Sequence, residues 1–278
     1  MTLEQDTKSA VEALAQATRS RHGLPGLALG IVGEEGLLWS GGFGVVCLDG
    51  TDCPDENTVV RIASVTKTFT TTAILQLRDE GLLGLDDPLH QHIPEFGQAV
   101  ERGGTVEEVT LRRLLTHRAG LVTESPVRGW GSLDFPSREE VLEALPRTEV
   151  VIPSDSAWKY SNLGFGLLGE VVSRLGRCSY DDYIRANILE PLDLESTSLD
   201  LTESMQQRAF CGYNLPAFQD RPETAPYAHL NGIAAAGQLH STVADLARWV
   251  AFQFRGDGGA RQGSQVLNGR TLNEMHRP

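Results

Sequence analysis

Ser64 and Lys67 lie three residues apart, where an extended segment at residues 59–63 gives way to an expected helix over residues 64–80. Residues three apart share one face of a helix, so the hydroxyl and the amine can lie within hydrogen-bond distance, as an activated nucleophile requires. The helix N-terminus adds N–H groups that stabilise an oxyanion, and a partly desolvated lysine can act as a base. The spacing therefore indicates nucleophilic catalysis, with a helix-capping serine and a surface lysine as the alternative.

A second Ser-x-x-Lys sequence occupies residues 156–159. It follows Pro153, and no helical period begins directly after it. We interpret this second match as coincidental.

Tyr160 and Asn162 precede an apolar segment that is expected to form a helix over residues 163–175. A neighbouring ammonium would favour the phenolate form of Tyr160, which could then accept a proton from Ser64 and return it to a leaving group. Asn162 could orient Lys67 or a substrate carbonyl. The alternative is a buried tyrosine followed by an asparagine that caps the helix.

The surrounding elements suit an α+β arrangement. An amphipathic helix over residues 3–22 precedes two apolar strands, at 27–32 and 37–46, which the turn at 33–36 joins into an antiparallel hairpin. A two-stranded sheet is marginal alone, and we find no convincing later strand. Helical periods follow instead, at residues 64–80, 110–118, 137–146, 163–175, 179–188, 243–254 and 270–276.

Composition narrows the function class of the 278-residue chain. Its 24 basic and 37 acidic side chains give a formal charge of −13, which repels nucleic acid and anionic lipid. Its start lacks the charged and then apolar order of a signal peptide, and its apolar runs fall short of the roughly 20 residues that span a bilayer. We therefore predict a cytoplasmic protein without nucleic-acid or membrane partners. On that compartment argument, the four cysteines are predicted to be ordinary thiols: Cys47, Cys53, Cys178 and Cys211.

Other polar residues are interpreted as structural. His117 and His240 are predicted to be core histidines. The two aspartates at residues 86–87 are predicted to form a turn before Pro88. We therefore predict no metal and no cofactor. Residues 214–228 are expected to form a loop that covers or borders a cleft. Residues 122–136 are expected to form a second loop, whose Trp130 and Phe135 make either an aromatic wall or ordinary surface packing.

Four further segments follow one another in the sequence together with the Ser-x-x-Lys and Tyr-x-Asn motifs. They are RIAS at 61–64, LLTHRAGL at 114–121, PLDL at 191–194 and AGQLHSTVADLARW at 236–249. With these segments in this order, the chain resembles the serine β-lactamase and penicillin-binding-protein superfamily, specifically its class C β-lactamase-like branch, which includes esterases, D-aminopeptidases and D,D-peptidases. The resemblance runs from about residue 24 to the end.

The resemblance implies a role for each motif residue. Ser64 would be the acylated nucleophile, with its N–H as half of the oxyanion hole, and Lys67 its partner. Tyr160 would be the general base and acid, and Asn162 a substrate-orienting amide. The implied fold is β-lactamase/transpeptidase-like, an antiparallel sheet packed with helices beside a mainly helical lobe.

The superfamily's third motif, Lys-Thr-Gly or a His or Trp variant of it, has no match in this sequence. We expect a fragment of a longer protein, with strands supplied by another chain or a truncated relative as alternatives. An open strand edge would favour a homo-oligomer. The predicted organisation is a single domain, incomplete at its C-terminus, with residues 1–62 in an α/β lobe, 63–237 in the helical lobe and 238–278 returning toward the α/β lobe.

The implied function is hydrolysis of a small-molecule ester, amide or lactam through an acyl-enzyme. Ester hydrolysis is ranked first because it needs no charged third motif and can take place in the cytosol, whereas a β-lactamase or cell-wall peptidase meets its substrate outside it. D-amino-acid amide or peptide hydrolysis is second and β-lactam hydrolysis third. A non-catalytic protein that keeps the fold for binding is the remaining alternative, and it rests on the unmatched third motif.

Overall fold

The computed structural model describes residues 3–130, 132–215, 222–254 and 266–277. Residue contacts divide the chain into two compact units. Residues 189–227 belong to the first unit in this division, whereas the sequence interpretation assigned them to the helical lobe. The predicted lobe boundaries stay a prediction. The first unit comprises Met1–Arg61, Leu189–Tyr227 and His240–Pro278, and the second Ile62–Ile188 and Ala228–Leu239.

Helices dominate the described residues, and their periods match the sequence pattern within a few residues. The short helices Leu89–His92 and Glu203–Gln206 have no counterpart among the predicted helices. None of the described helices combines the length and apolar character needed to cross a bilayer. The α-helices are α1 (Gln5–His22), α2 (Thr66–Asp79), α3 (Leu89–His92), α4 (Leu111–Leu115), α5 (Arg138–Glu143), α6 (Asn162–Gly176), α7 (Tyr180–Ile184), α8 (Glu203–Gln206), α9 (Val243–Gln253) and α10 (Gly269–Met275).

The predicted hairpin is confirmed. Its strands are β1 (Gly26–Gly33) and β2 (Gly36–Gly44), antiparallel from the pair Gly26 and Gly44 to the pair Gly33 and Gly36. Helices α1 and α9 pack on this hairpin within the first unit. The α+β class inferred from the sequence is therefore confirmed.

The remaining strands are two residues long, which explains why no apolar alternation marks them. In the described residues each sheet has two strands. One such pair, Tyr213–Asn214 with Glu223–Thr224, lies inside or beside the predicted loop 214–228, of which residues 216–221 fall outside the described part. The short strands are β3 (Val60–Arg61), antiparallel to β8 (His240–Ser241); β4 (Val100–Glu101), parallel to β5 (Glu149–Val150); and β6 (Tyr213–Asn214), antiparallel to β7 (Glu223–Thr224).

The second unit is built around the apolar helix α6. The helix packs on α2 and on a 3₁₀ segment, Asn231–Ala236. Gly169 permits that close approach, because a Cβ atom at this position would overlap the Ala235 Cβ. Packing of these three elements brings the start of α6, the start of α2 and the end of the 3₁₀ segment to one place.

The prediction of four free thiols is wrong for one pair. Cys47 and Cys211 form a disulfide with their Cα atoms 5.1 Å apart, although they are 164 residues apart in sequence. The backbone N–H of Cys211 donates to the carbonyl of Val46, so the fold aligns the two segments. The prediction of free thiols followed from the expected cytoplasmic location, and the pairing of Cys47 with Cys211 is visible only in the tertiary structure. Cys53 and Cys178 are free and exposed.

Candidate active site

Ser64 lies in a 3₁₀ turn, Ala63–Val65, directly before helix α2. Its side chain is exposed, whereas Thr66, the first residue of α2, is fully buried. Thr66 Oγ1 accepts a hydrogen bond from the Leu239 N–H at 3.2 Å, which anchors the start of the helix. Ala63 has φ of +45°, an uncommon conformation for a residue with a Cβ. The surrounding structure thus holds the serine on a constrained turn.

The structure brings together all four predicted site residues. Ser64 Oγ is 2.8 Å from Tyr160 Oη and 3.3 Å from Lys67 Nζ. Lys67 Nζ donates to Asn162 Oδ1 at 2.9 Å. An exposed hydroxyl with two groups able to exchange its proton has the geometry of an activated nucleophile.

Lys67 is almost completely buried, with 7% of its surface exposed. In addition to Ser64 and Asn162, its amine donates to the carbonyl oxygen of Ala236 at 2.6 Å. Burial lowers the pKa of Lys67 below its ordinary value, while Tyr160 and the Glu124 carboxylate oppose that change. A lysine with a lowered pKa and three oxygen partners is suited to proton exchange with Ser64.

Segment 122–124 holds Tyr160 and the start of α6. Ser161 caps the helix by accepting from the Gly164 N–H at 2.9 Å, and it donates to the Val122 carbonyl at 2.7 Å. The Asn162 N–H donates to the Thr123 carbonyl at 2.9 Å. The cap predicted as the alternative for Asn162 is therefore formed by Ser161, which leaves the Asn162 side chain free to reach Lys67.

His117 lies against the Tyr160 ring, with ring centroids 4.4 Å apart. Its Nδ1 accepts from the Ser161 N–H at 3.2 Å. Burial, with the nearby Lys67 charge, lowers the pKa of His117 to about 4. A neutral imidazole thus supports Tyr160 without placing a second positive charge beside Lys67.

Two groups of the site were missed by the sequence interpretation. One is the Ala236 carbonyl, since a backbone oxygen carries no sequence signal. The other is Glu124, whose Oε1 accepts from Asn162 Nδ2 at 2.6 Å and from Trp130 Nε1 at 3.2 Å. Glu124 lies three residues beyond the LLTHRAGL segment, and no recognised motif includes it.

The other polar residues singled out in the sequence have partners outside the group of Ser64, Lys67, Tyr160 and Asn162. Lys159 donates to Thr123 Oγ1, so the second Ser-x-x-Lys sequence does not form a second pair. His240 is buried, as a core histidine is expected to be. The acidic pair at 86–87 bonds to Arg112, to the Gly84 N–H and to His92. Of the two loop aromatics, Phe135 is buried and Trp130 is about half exposed.

The chain is similar in sequence to curated proteins. The chain is 29% identical over 288 residues to Beta-lactamase-like protein 2 of Dictyostelium discoideum, which covers all of this chain and 50% of that protein. It spans about half the length of the curated relatives that it matches.

Solved structures confirm the β-lactamase/transpeptidase-like fold inferred from the sequence. A Beta-lactamase/D-alanine Carboxypeptidase from Yersinia pestis superposes with a TM-score of 0.71 at 25% identity, covering 87% of this chain and 66% of that one. The octameric penicillin-binding protein homologue from Pyrococcus abyssi gives 0.77 at 24% identity, covering 97% and 60%. The Beta-lactamase family model matches residues 11–278. The chain therefore belongs to the beta-lactamase family, within the serine β-lactamase and penicillin-binding-protein superfamily.

Proposed function

We propose that the protein is a serine hydrolase that forms an acyl-enzyme on Ser64 and that its substrates are small carboxylic esters. The observation that carries this proposal is the distance of 2.8 Å between Ser64 Oγ and Tyr160 Oη, with Lys67 Nζ 3.3 Å from the same serine oxygen. A helix-capping serine with a surface lysine would show neither contact.

The proposed reaction has two stages. Ser64 Oγ forms a bond to the ester carbonyl carbon, Tyr160 Oη takes the serine proton, and the carbon–oxygen bond to the alcohol breaks as Tyr160 delivers a proton to the leaving oxygen. The Ser64 N–H is proposed to stabilise the oxyanion. A water molecule then attacks the acyl group, and the same proton path releases the acid and restores Ser64.

Esters are ranked first because an alkoxide or phenoxide leaves more easily than an amine. An ester therefore needs less catalytic assistance from Ser64, Lys67 and Tyr160 than an amide does. A peptide substrate is the second candidate, since the Yersinia pestis relative is named a D-alanine carboxypeptidase. A β-lactam is third. No step requires a cofactor.

Location and assembly are separate proposals. A cytoplasmic location is opposed by the Cys47–Cys211 disulfide, because disulfides persist mainly in oxidising compartments. A homo-oligomer is supported by the fold shared with an octameric homologue, and native mass in solution tests it.

The test uses p-nitrophenyl butyrate and intact-mass measurement on the parent protein and on two variants. Ser64→Ala removes the proposed nucleophile, and Ser156→Ala is the matched control because it alters the other Ser-x-x-Lys sequence. We expect one butyryl adduct in the parent and in Ser156→Ala, and none in Ser64→Ala. A folded parent protein that neither forms an adduct with nor hydrolyses the ester, a D-Ala-D-Ala peptide or a β-lactam would overturn the proposed function.

A further inference from the structure

The Asn162 side chain lies between a carboxylate and the candidate catalytic lysine. Its Nδ2 is 2.6 Å from Glu124 Oε1, and its Oδ1 is 2.9 Å from Lys67 Nζ. An ionised carboxylate only accepts hydrogen bonds, and an ammonium only donates them. The two neighbours therefore demand opposite ends of the amide, and both demands are met in one orientation.

The carboxylate is itself held in place. The same Glu124 oxygen accepts from Trp130 Nε1 at 3.2 Å. Its main chain follows Thr123, whose carbonyl accepts from the N–H groups of Asn162 and Leu163 at 2.9 and 3.0 Å. Glu124 and the start of helix α6 thus form one hydrogen-bonded assembly.

Without an acceptor at Glu124, the amide could rotate and point its NH₂ group at Lys67. Two donors would then face each other, and the amine would lose one of the three oxygens that aim it at Ser64. The Ala236 carbonyl would remain as the other fixed acceptor. Loss of a hydrogen bond to a charged group at this point would disturb the position of Nζ relative to the nucleophile.

We propose that Glu124 is a positioning residue for acylation of Ser64: it fixes the orientation of the Asn162 amide, which in turn aims the Lys67 amine at the nucleophile. This inference rests on the proposed function.

The experiment measures the burst of p-nitrophenol from p-nitrophenyl butyrate. Glu124→Ala removes the acceptor and is expected to slow acylation by about 10- to 100-fold, the usual effect of losing a hydrogen bond to a charged group. Glu124→Gln keeps an acceptor oxygen and is expected to stay within a few-fold of the parent rate. In Glu124→Gln, the part of the pH–rate profile that follows deprotonation of Lys67 should move to lower pH. The reason is that the Glu124 carboxylate, which raises the pKa of Lys67, is absent in this variant. Glu107→Ala, which removes an exposed carboxylate elsewhere, is the control.

A reciprocal exchange separates positioning from general stability. Asn162→Asp places two acceptors face to face and should acylate slowly. Adding Glu124→Gln supplies a donor to the new carboxylate and should restore much of the rate. Equal rates in Glu124→Ala and the parent, or no rescue in the double variant, would overturn the inference.

A second readout does not depend on turnover. With ¹⁵N-asparagine labelling, the Asn162 side-chain NH₂ resonance is assigned by its loss in Asn162→Asp. Slow hydrogen exchange of that group in the parent and fast exchange in Glu124→Ala would support the role of Glu124 in holding the amide. Equal exchange rates in the two proteins would contradict it. If the parent neither forms an adduct nor hydrolyses any of the three substrates, the proposed function fails and this measurement still decides whether Glu124 fixes the Asn162 amide.

Discussion

Two of the three oxygens around Lys67 can only accept hydrogen bonds from its amine. Asn162 Oδ1 and Ala236 O therefore take two N–H bonds and leave one position on Nζ facing Ser64 Oγ. In the ammonium form that position is an N–H, which turns the serine proton toward Tyr160. In the neutral form it is a lone pair that can receive the proton directly. Tyr160 thus accepts the serine proton when Lys67 is an ammonium, and it donates or relays a proton when Lys67 is neutral.

Replacing Tyr160 with phenylalanine tests this proton path. The ring contacts to His117 and Lys67 would persist, so Tyr160→Phe should leave the free energy of unfolding nearly unchanged. Loss of the hydroxyl should lower kcat/KM by about 10²- to 10⁴-fold, the usual contribution of a general acid or base. Steady-state kinetics with p-nitrophenyl butyrate and denaturant unfolding measure the two effects. Tyr213→Phe, which removes a hydroxyl outside the site, is the control for kcat/KM only, because its hydroxyl accepts from the Leu48 N–H. An unchanged kcat/KM in Tyr160→Phe would exclude this tyrosine as proton carrier.

His117 makes the folded protein sensitive to acid. Its pKa is lowered from 6.5 to about 4 in the folded state, chiefly by burial, so the unfolded chain binds a proton at a higher pH than the folded chain does. Stability is therefore expected to fall as pH falls from about 6.5 toward 4. His117→Asn keeps an acceptor and tolerates the φ of +58°, and it should reduce this slope. Melting temperatures across that pH range, with exposed His22→Gln as control, measure it. A slope that His117→Asn leaves unchanged would contradict the assignment.

At the scale of elements, the contact between α6 and the 3₁₀ segment Asn231–Ala236 sets the floor of the site. Ala235 and Ala236 present carbonyl oxygens to Thr70 and Lys67 of helix α2, at 2.7 and 2.6 Å. Any shift of this segment therefore displaces the lysine. The distance between α6 and the segment is small because Gly169 has no side chain.

Gly169→Ala is expected to force these two elements apart. The added methyl group would overlap the Ala235 Cβ, and overpacking of this kind costs about 1 to 3 kcal/mol of stability. Activity should fall as well, because the Ala236 carbonyl moves with the segment. Gly97→Ala is the matched control, since its nearest contact would be the His90 Cβ at an ordinary 3.8 Å. Denaturant unfolding and ester hydrolysis should separate the two variants. Equal stability would show that the contact can relax without cost.

The same elements show what the sequence could predict. Helical periods and the apolar hairpin are local patterns, so α2, α6 and β1–β2 were predictable from spacing alone. Glu124 and the Ala236 carbonyl were not, because they reach Asn162 and Lys67 respectively through tertiary packing and belong to no local period. Tyr160 and Asn162 were found only through their motif, since 95 residues separate Asn162 from Lys67.

At the scale of the molecule, the first unit is assembled from three separate stretches of chain. Val59 pairs with Ala209 in a parallel bridge, and the Cys47–Cys211 disulfide lies nearby in the same unit. The two cysteines join the first of these stretches to the second across 164 residues. A cross-link that closes so long a loop restricts the unfolded chain strongly, and such bonds typically contribute about 2 to 5 kcal/mol.

Removal of this disulfide should therefore destabilise the first unit. Cys47→Ser, Cys211→Ser or a reducing agent should each lower the free energy of unfolding by about 2 to 5 kcal/mol. Cys53→Ser is the control, because that thiol is free and exposed. Denaturant unfolding with and without reductant gives the energies, and thiol titration under denaturing, non-reducing conditions should find two thiols, Cys53 and Cys178. Because reductant should destabilise the parent but have no further effect on Cys47→Ser, the two measurements together isolate this bond. Four titratable thiols in the unreduced protein would show that the pair is not oxidised and would remove the objection to a cytoplasmic location.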